Sequence, residues 1–139
     1  MTWSFYAVLS AAFAALVAVF GKIGISKVDT TLATTIRALI MAGFFVIVAL
    51  AMSKGKLIGT IDRHALLFIV LSGLAGALSW LFYFMALKAG PTSAVAAIDR
   101  TSVAIVFILA VLFLGEKFQL RTAAGAMLVV GGAILMTLK

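Results

Sequence analysis

Four acidic residues, one histidine and no cysteine leave this chain few groups with which to do chemistry. Two of its charges, Asp99 and Arg100, stand side by side in an apolar run over residues 91–115. An Asp or Arg at the centre of a membrane helix costs roughly 2.5–3.5 kcal/mol on the insertion scale, so it usually faces a bundle interior or a wet cavity with a partner. Adjacent helical residues point about 100° apart and pair poorly with each other. Arg37, in an earlier apolar run, is the better partner for Asp99. That pairing leaves one surplus positive group per chain, suited to an anionic or carboxylate-bearing solute. Arg37 and Arg100 are then electrostatic anchors, and Asp99 is a cation or proton acceptor, or the counter-ion of Arg37. The competing expectation is that Arg100 snorkels to the headgroups and an Asp99–Arg37 pair merely fixes helix packing.

Other chemistries find no support. Without cysteine there is no disulfide, thiolate nucleophile or zinc-thiolate site, and His64 alone builds no metal centre. No nucleophile–base constellation appears, so neither an enzyme nor a bound cofactor is expected. The net charge of +7 would suggest nucleic acid in a soluble chain, but here the cations mostly sit between apolar segments, where headgroups and topology explain them.

The elements that hold these residues are membrane spans. With 65% hydrophobic and 11% charged residues the chain is far from the composition of a water-soluble domain, in which about half are apolar and about a quarter charged. The expectation is an all-α, five-span membrane protein of one domain over residues 1–139, with helices at about 3–20, 30–52, 65–87, 91–114 and 122–138. The first run lacks a basic leader and a polar cleavage region and reads as a retained helix. Asp29 or Thr30 caps the second. In the third, Ser72, Gly76, Ser79 and Tyr83 share a face, with Trp80 and Phe84 beside it. That stripe serves helix packing, with Trp80 and Tyr83 as candidate walls of a solute cavity. Pro91 suits a first helical position and Gly115 a position just past a helix end. Gly125 and Gly132 lie seven apart in the last helix with Gly131 adjoining, forming either a dimer seam or a close packing strip within one subunit.

Taking the N-terminal side as side one, the second and fourth helices both start from side two. Arg37 and Asp99 then lie at a similar depth, roughly 10–12 Å in. Ser79 and Trp80 reach that level from the third helix, permitting one layer of Arg37, Ser79, Trp80, Asp99 and Arg100. Outside the spans, side one holds Lys54, Lys56, Arg63, Lys117 and Arg121, and side two holds Lys22, Lys27, Lys88 and Lys139. Orientation follows Lys/Arg asymmetry, and this near-tie gives no firm instruction. The chain is therefore expected to insert both ways up and to form an antiparallel homodimer, the relation seen between inverted repeats of many transporters.

The early Arg37, the run Tyr83-Phe84-Met85-Ala86-Leu87-Lys88-Ala89-Gly90-Pro91 with Ala94-Val95-Ala96, and Leu114-Gly115-Glu116 with the later glycines resemble an EamA-like unit of the drug/metabolite transporter superfamily. The resemblance covers nearly the whole chain. It implies a single-unit form of a fold usually doubled, and export or exchange of small metabolites by alternating access in the inner membrane. Many members carry an apolar, proline-containing stretch where this chain has Ile98-Asp99-Arg100-Thr101-Ser102. Small multidrug exporters of the superfamily depend on a first-helix Glu, and this first helix has no acid. The expected function is thus a homodimeric carrier of small anionic or zwitterionic metabolites. A dual-topology anion channel and a non-transporting scaffold are the rivals.

Overall fold

Helix punctuation in the sequence translates directly into backbone. The computed structural model describes residues 2–138, so the side-two cation Lys139 lies outside the described residues. Six α-helices follow in order: α1 (Trp3–Gly24), α2 (Thr30–Ala51), α3 (Arg63–Ala89), α4 (Thr92–Asp99), α5 (Ser102–Phe113) and α6 (Leu120–Thr137). A 3₁₀ helix, Lys54–Thr60, occupies the basic connection after α2. There is no strand among the described residues. Five stretches are long and apolar enough to cross a membrane: α1, α2, α3, the α4–α5 stretch Thr92–Phe113, and α6. The all-α, five-span architecture is therefore the one expected.

Asp29 is the cap of α2. Its backbone is extended, its Oδ1 accepts from the Leu32 N–H at 2.9 Å and its carbonyl accepts from Ala33 at 2.9 Å, satisfying two of the amides that a helix start leaves open. Pro91 stands one position earlier than expected, as the cap rather than the first residue of α4, with φ −65° and ψ 135°. Its carbonyl still accepts from Val95 at 3.0 Å. Gly115, just past α5, takes φ +68°, a conformation open to glycine and strained for most other residues.

The fourth span differs from a continuous helix. Between α4 and α5 the bonding tightens to a 3₁₀ pattern: Thr101 donates to Ile98 O at 2.9 Å, Val103 to Arg100 O at 3.1 Å and Ala104 to Thr101 O at 3.0 Å. The Thr101 hydroxyl also donates to Ile98 O, at 2.7 Å. Competition of this kind between a hydroxyl and the helical ladder is a known reason for a helix to bend.

Two compact units emerge among the described residues, 2–20 with 89–138, and 21–88. In the first, α4 and α5 both pack on α6. Its buried positions are all alanines, Ala18, Ala110, Ala126 and Ala133, small enough for helix backbones to approach. In the second, Ile25, Phe84 and Leu87 form the buried core. Two lysines close its end, with Lys22 Nζ donating to Leu87 O and Lys88 Nζ donating to Val28 O at 2.7 Å. Large apolar side chains such as Phe44, Phe45 and Ile47 face outward along α2, as lipid contact requires.

Candidate functional site

Unit 21–88 contains a cleft of about 590 Å³ between α2 and α3. Lys88 meets Val28 while Trp80 meets Arg37, so the two helices run antiparallel along it. On the α2 side Thr31, Thr34, Thr35, Arg37, Ala38 and Met41 line it. These positions recur at helical spacing, and so form one face that passes from hydroxyls through a guanidinium to apolar carbon. The α3 wall is Gly73, Gly76, Ala77, Trp80 and Leu81. A Cβ built on Gly73 or Gly76 would meet nothing within 4 Å, so the glycines widen the cleft at its apolar end.

Arg37 and Trp80 define its centre. The guanidinium carbon lies 3.6 Å from the centroid of the Trp80 ring and 5.3 Å from that of Phe84. A planar guanidinium stacks by its face and keeps its N–H edge for an acceptor, which an ammonium group cannot do. The acids of this unit are Asp29 and Asp62, and both accept from local backbone amides, Leu32 N and His64 N. Within the unit, aromatic faces rather than a carboxylate receive the Arg37 charge.

The ring that carries Arg37 is itself braced. Tyr83 and Phe84 approach Trp80 at 5.6 and 5.9 Å between centroids, and Tyr83 meets Phe84 at 6.1 Å, edge to face. Phe84 is buried, and Gly21 of α1 lets it sit there: a Cβ on Gly21 would fall 2.9 Å from Phe84 Cε1. The cleft is thus built on an aromatic cluster seated against a glycine.

Hydroxyl geometry sets the polarity of the other end. Thr34 Oγ1 donates to Thr30 O at 2.7 Å and Thr35 Oγ1 to Thr31 O at 2.9 Å. With their protons committed to the backbone, both oxygens are left with lone pairs and act as acceptors.

Of the residues expected at the site, Arg37 and Trp80 line the cleft, whereas Tyr83 does not and instead braces Trp80 at 5.6 Å between centroids. Ser79 is exposed and does not line the cleft, because one residue of helix turns it about 100° from Trp80. Asp99 and Arg100 belong to the other unit, Asp99 half-buried as the last residue of α4 and Arg100 exposed at the 3₁₀ junction. There the N–H groups of Thr101 and Val103 turn to Ile98 and Arg100. The carbonyls of Ala97 and Asp99 thereby lose the donors that an unbroken helix would bring. Gly125, Gly131 and Gly132 lie on exposed faces of α6, where an added Cβ would meet no atom within 4 Å. Reading the sequence overlooked Thr31, Thr34 and Thr35, although their spacing with Arg37, Ala38 and Met41 was a visible signal of one shared helix face. No group of three or more metal-ligating His, Cys, Asp or Glu side chains occurs among the described residues.

Comparison with known proteins gives a consistent result. The family model described as the EamA-like transporter family matches residues 1–138. A protein of Sinorhizobium sp. named "Uncharacterized transporter in cobO 3'region" is 42% identical over 135 residues, covering 97% of this chain and 96% of that protein. No solved structure matches the chain.

Proposed function

Since the chain belongs to the EamA-like transporter family, we propose that it exports or exchanges small anionic or zwitterionic metabolites across the inner membrane. It is a multi-pass membrane transporter. The observation that carries the solute assignment is the Arg37 guanidinium stacked on Trp80 in a cleft of the α2 and α3 spans. A cation placed there attracts an anion into a region where electrostatic attraction is stronger than in water. The aromatic and apolar walls accept the rest of the solute.

The working form in this reading is an antiparallel homodimer that operates by alternating access, with residues 1–139 as one functional domain. Support comes from the near-balanced Lys/Arg distribution between the two sides and from the exposed glycines of α6, where an added Cβ would meet no atom within 4 Å among the described residues. Asp99 and Arg100 supply a second charged locus at the break in the fourth span, with Asp99 as a cation or proton acceptor. Discontinuous helices of this kind serve solute or ion sites in several transporter folds.

Reconstitution into sealed vesicles tests the reading. A carrier gives saturable uptake stimulated by solute on the far side, and Arg37→Gln removes it. Conductance without counter-stimulation would replace the carrier with a channel. Single cysteines at Lys56 and Lys117, read with a membrane-impermeant reagent, test the arrangement of protomers. Partial labelling of each from both faces is expected; labelling of both from one face only defeats the antiparallel dimer.

A further inference from the structure

The connection between α2 and α3 emerges at the edge of the bilayer. With 22 residues, α2 rises about 33 Å, close to the roughly 30 Å of a hydrocarbon core. Ser53 then takes the left-handed conformation, φ +54°, which diverts the chain from the axis of α2 into the 3₁₀ helix Lys54–Thr60. Residues three apart share an edge of such a helix. Gly55 and Ile58 therefore form one edge, Lys54, Leu57 and Thr60 a second, and Lys56 with Gly59 the third. The Thr60 hydroxyl is held by the helix itself, donating to Leu57 O at 2.7 Å. Leu57 and Ile58 are 51% and 70% exposed, so neither is taken up by the packing of unit 21–88.

Cations flank this apolar pair. Lys54 and Lys56 belong to the same 3₁₀ helix, and Arg63 opens α3. The one acid of the connection, Asp62, is used at that helix start: its Oδ2 accepts from His64 N at 3.1 Å and its carbonyl from Leu66 N at 2.8 Å. Lys22 and Lys88, at the other end of the unit, differ in that they donate to Leu87 O and Val28 O. We propose that the 3₁₀ helix lies in the plane of the side-one interface, sinks Leu57 and Ile58 among the acyl chains and gathers anionic phospholipid headgroups with Lys54, Lys56 and Arg63. A short interfacial helix with apolar side chains beside long cations suits this role, because aliphatic stems run along apolar surface while the charged heads reach phosphates. Lipid is the occupant by height and by charge. The segment leaves α2 where the hydrocarbon ends, so its apolar side chains have acyl chains within reach and its cations have headgroups.

The test uses the full chain in lipid nanodiscs. The chain has no cysteine, so Ile58→Cys carries a single fluorophore, and Ile105→Cys, at an outward-facing position of α5, carries the same one as a control. Quenching is measured with lipids brominated on their acyl chains and bearing either a phosphatidylglycerol or a phosphatidylcholine headgroup. Both positions are expected to be quenched. At Ile58→Cys phosphatidylglycerol is expected to be preferred several-fold, on a scale of about fivefold for each cation that reaches a headgroup, with no preference at Ile105→Cys. Lys54→Gln, Lys56→Gln and Arg63→Gln together are expected to bring the preference near one. Added salt should lower it where the cations are kept, which tests the same point without altering the segment. Absence of quenching at Ile58→Cys by either lipid places the segment outside the bilayer and overturns the proposal. An equal response to both headgroups, a preference of the same size at Ile105→Cys, or a preference indifferent to salt and to the three substitutions overturns it as well.

Discussion

Arg37 lies with its guanidinium carbon 3.6 Å from the centroid of the Trp80 ring, joining α2 to α3 across the cleft that lies between them. The contact solves two problems with one geometry. A charge inside a membrane span needs a partner, and an anion site needs a cation whose donors are still available. A carboxylate partner would meet the first need at the expense of the second, whereas an aromatic face meets the first and leaves the N–H edge open.

Replacement of the stack therefore has graded effects. Trp80→Leu is expected to weaken solute binding about tenfold, as loss of a part-buried cation–π contact of roughly 1–2 kcal/mol would do, and Trp80→Phe to retain most of the binding. Arg37→Lys keeps the charge but loses the planar face and bidentate edge, and is expected to fall near Arg37→Gln. Binding titrations on the four variants check this. A fully active Arg37→Lys would show that only net charge matters.

Gly21→Ala is expected to destabilise the protein by about 1–3 kcal/mol, because its new methyl enters the space of the Phe84 ring edge. The same change should shift the emission of Trp80, whose ring lies 5.9 Å from that of Phe84 between centroids. Combining it with Phe84→Leu is expected to recover part of the loss. Thermal unfolding in detergent and fluorescence in the Trp3→Phe background measure both.

The junction between α4 and α5 is expected to be wet. Carbonyls deprived of helical donors cost several kcal/mol each in hydrocarbon and are tolerated where they face protein or a water-filled cavity. A cysteine placed at Arg100 should react with a water-soluble thiol reagent, whereas one at the outward-facing Ile105 should not. The chain has no cysteine of its own, so each signal has one source. Equal protection at both positions would remove the case for an aqueous path beside Asp99.

For the α6 glycines, Gly132→Leu separates dimer from monomer. An added Cβ there meets no atom within 4 Å among the described residues, so the stability of the isolated monomer should change little, within about 0.5 kcal/mol. Crosslinked dimer in native membranes should fall sharply. A destabilised monomer with intact dimer would assign the glycines to packing inside one subunit.

Asp29→Ala should cost roughly 0.5–2 kcal/mol, the usual range for loss of a helix cap. A stability change with unaltered solute affinity is the expected pairing, since Asp29 supports α2 and does not line the cleft.

Local chemistry made much of this legible in the sequence. Long apolar runs can satisfy their backbone in a bilayer only as helices, so five spans followed from composition and length. The cap at Asp29 and the left-handed turn at Gly115 followed from residue types that suit those conformations. Arg37 and Trp80 could be placed at one depth by counting residues. Tertiary structure alone decided which faces met. It turned Trp80 toward Arg37 and Ser79 away, since neighbours on a helix differ by about 100° and only packing fixes the rotation of the whole helix. Tertiary structure also set Thr31, Thr34 and Thr35 along the cleft. The interruption after Asp99 lay at the same boundary: the unusual charges were plain in the sequence, but the switch to 3₁₀ bonding depends on which carbonyl each N–H reaches, a choice among states close in energy that the surrounding fold settles.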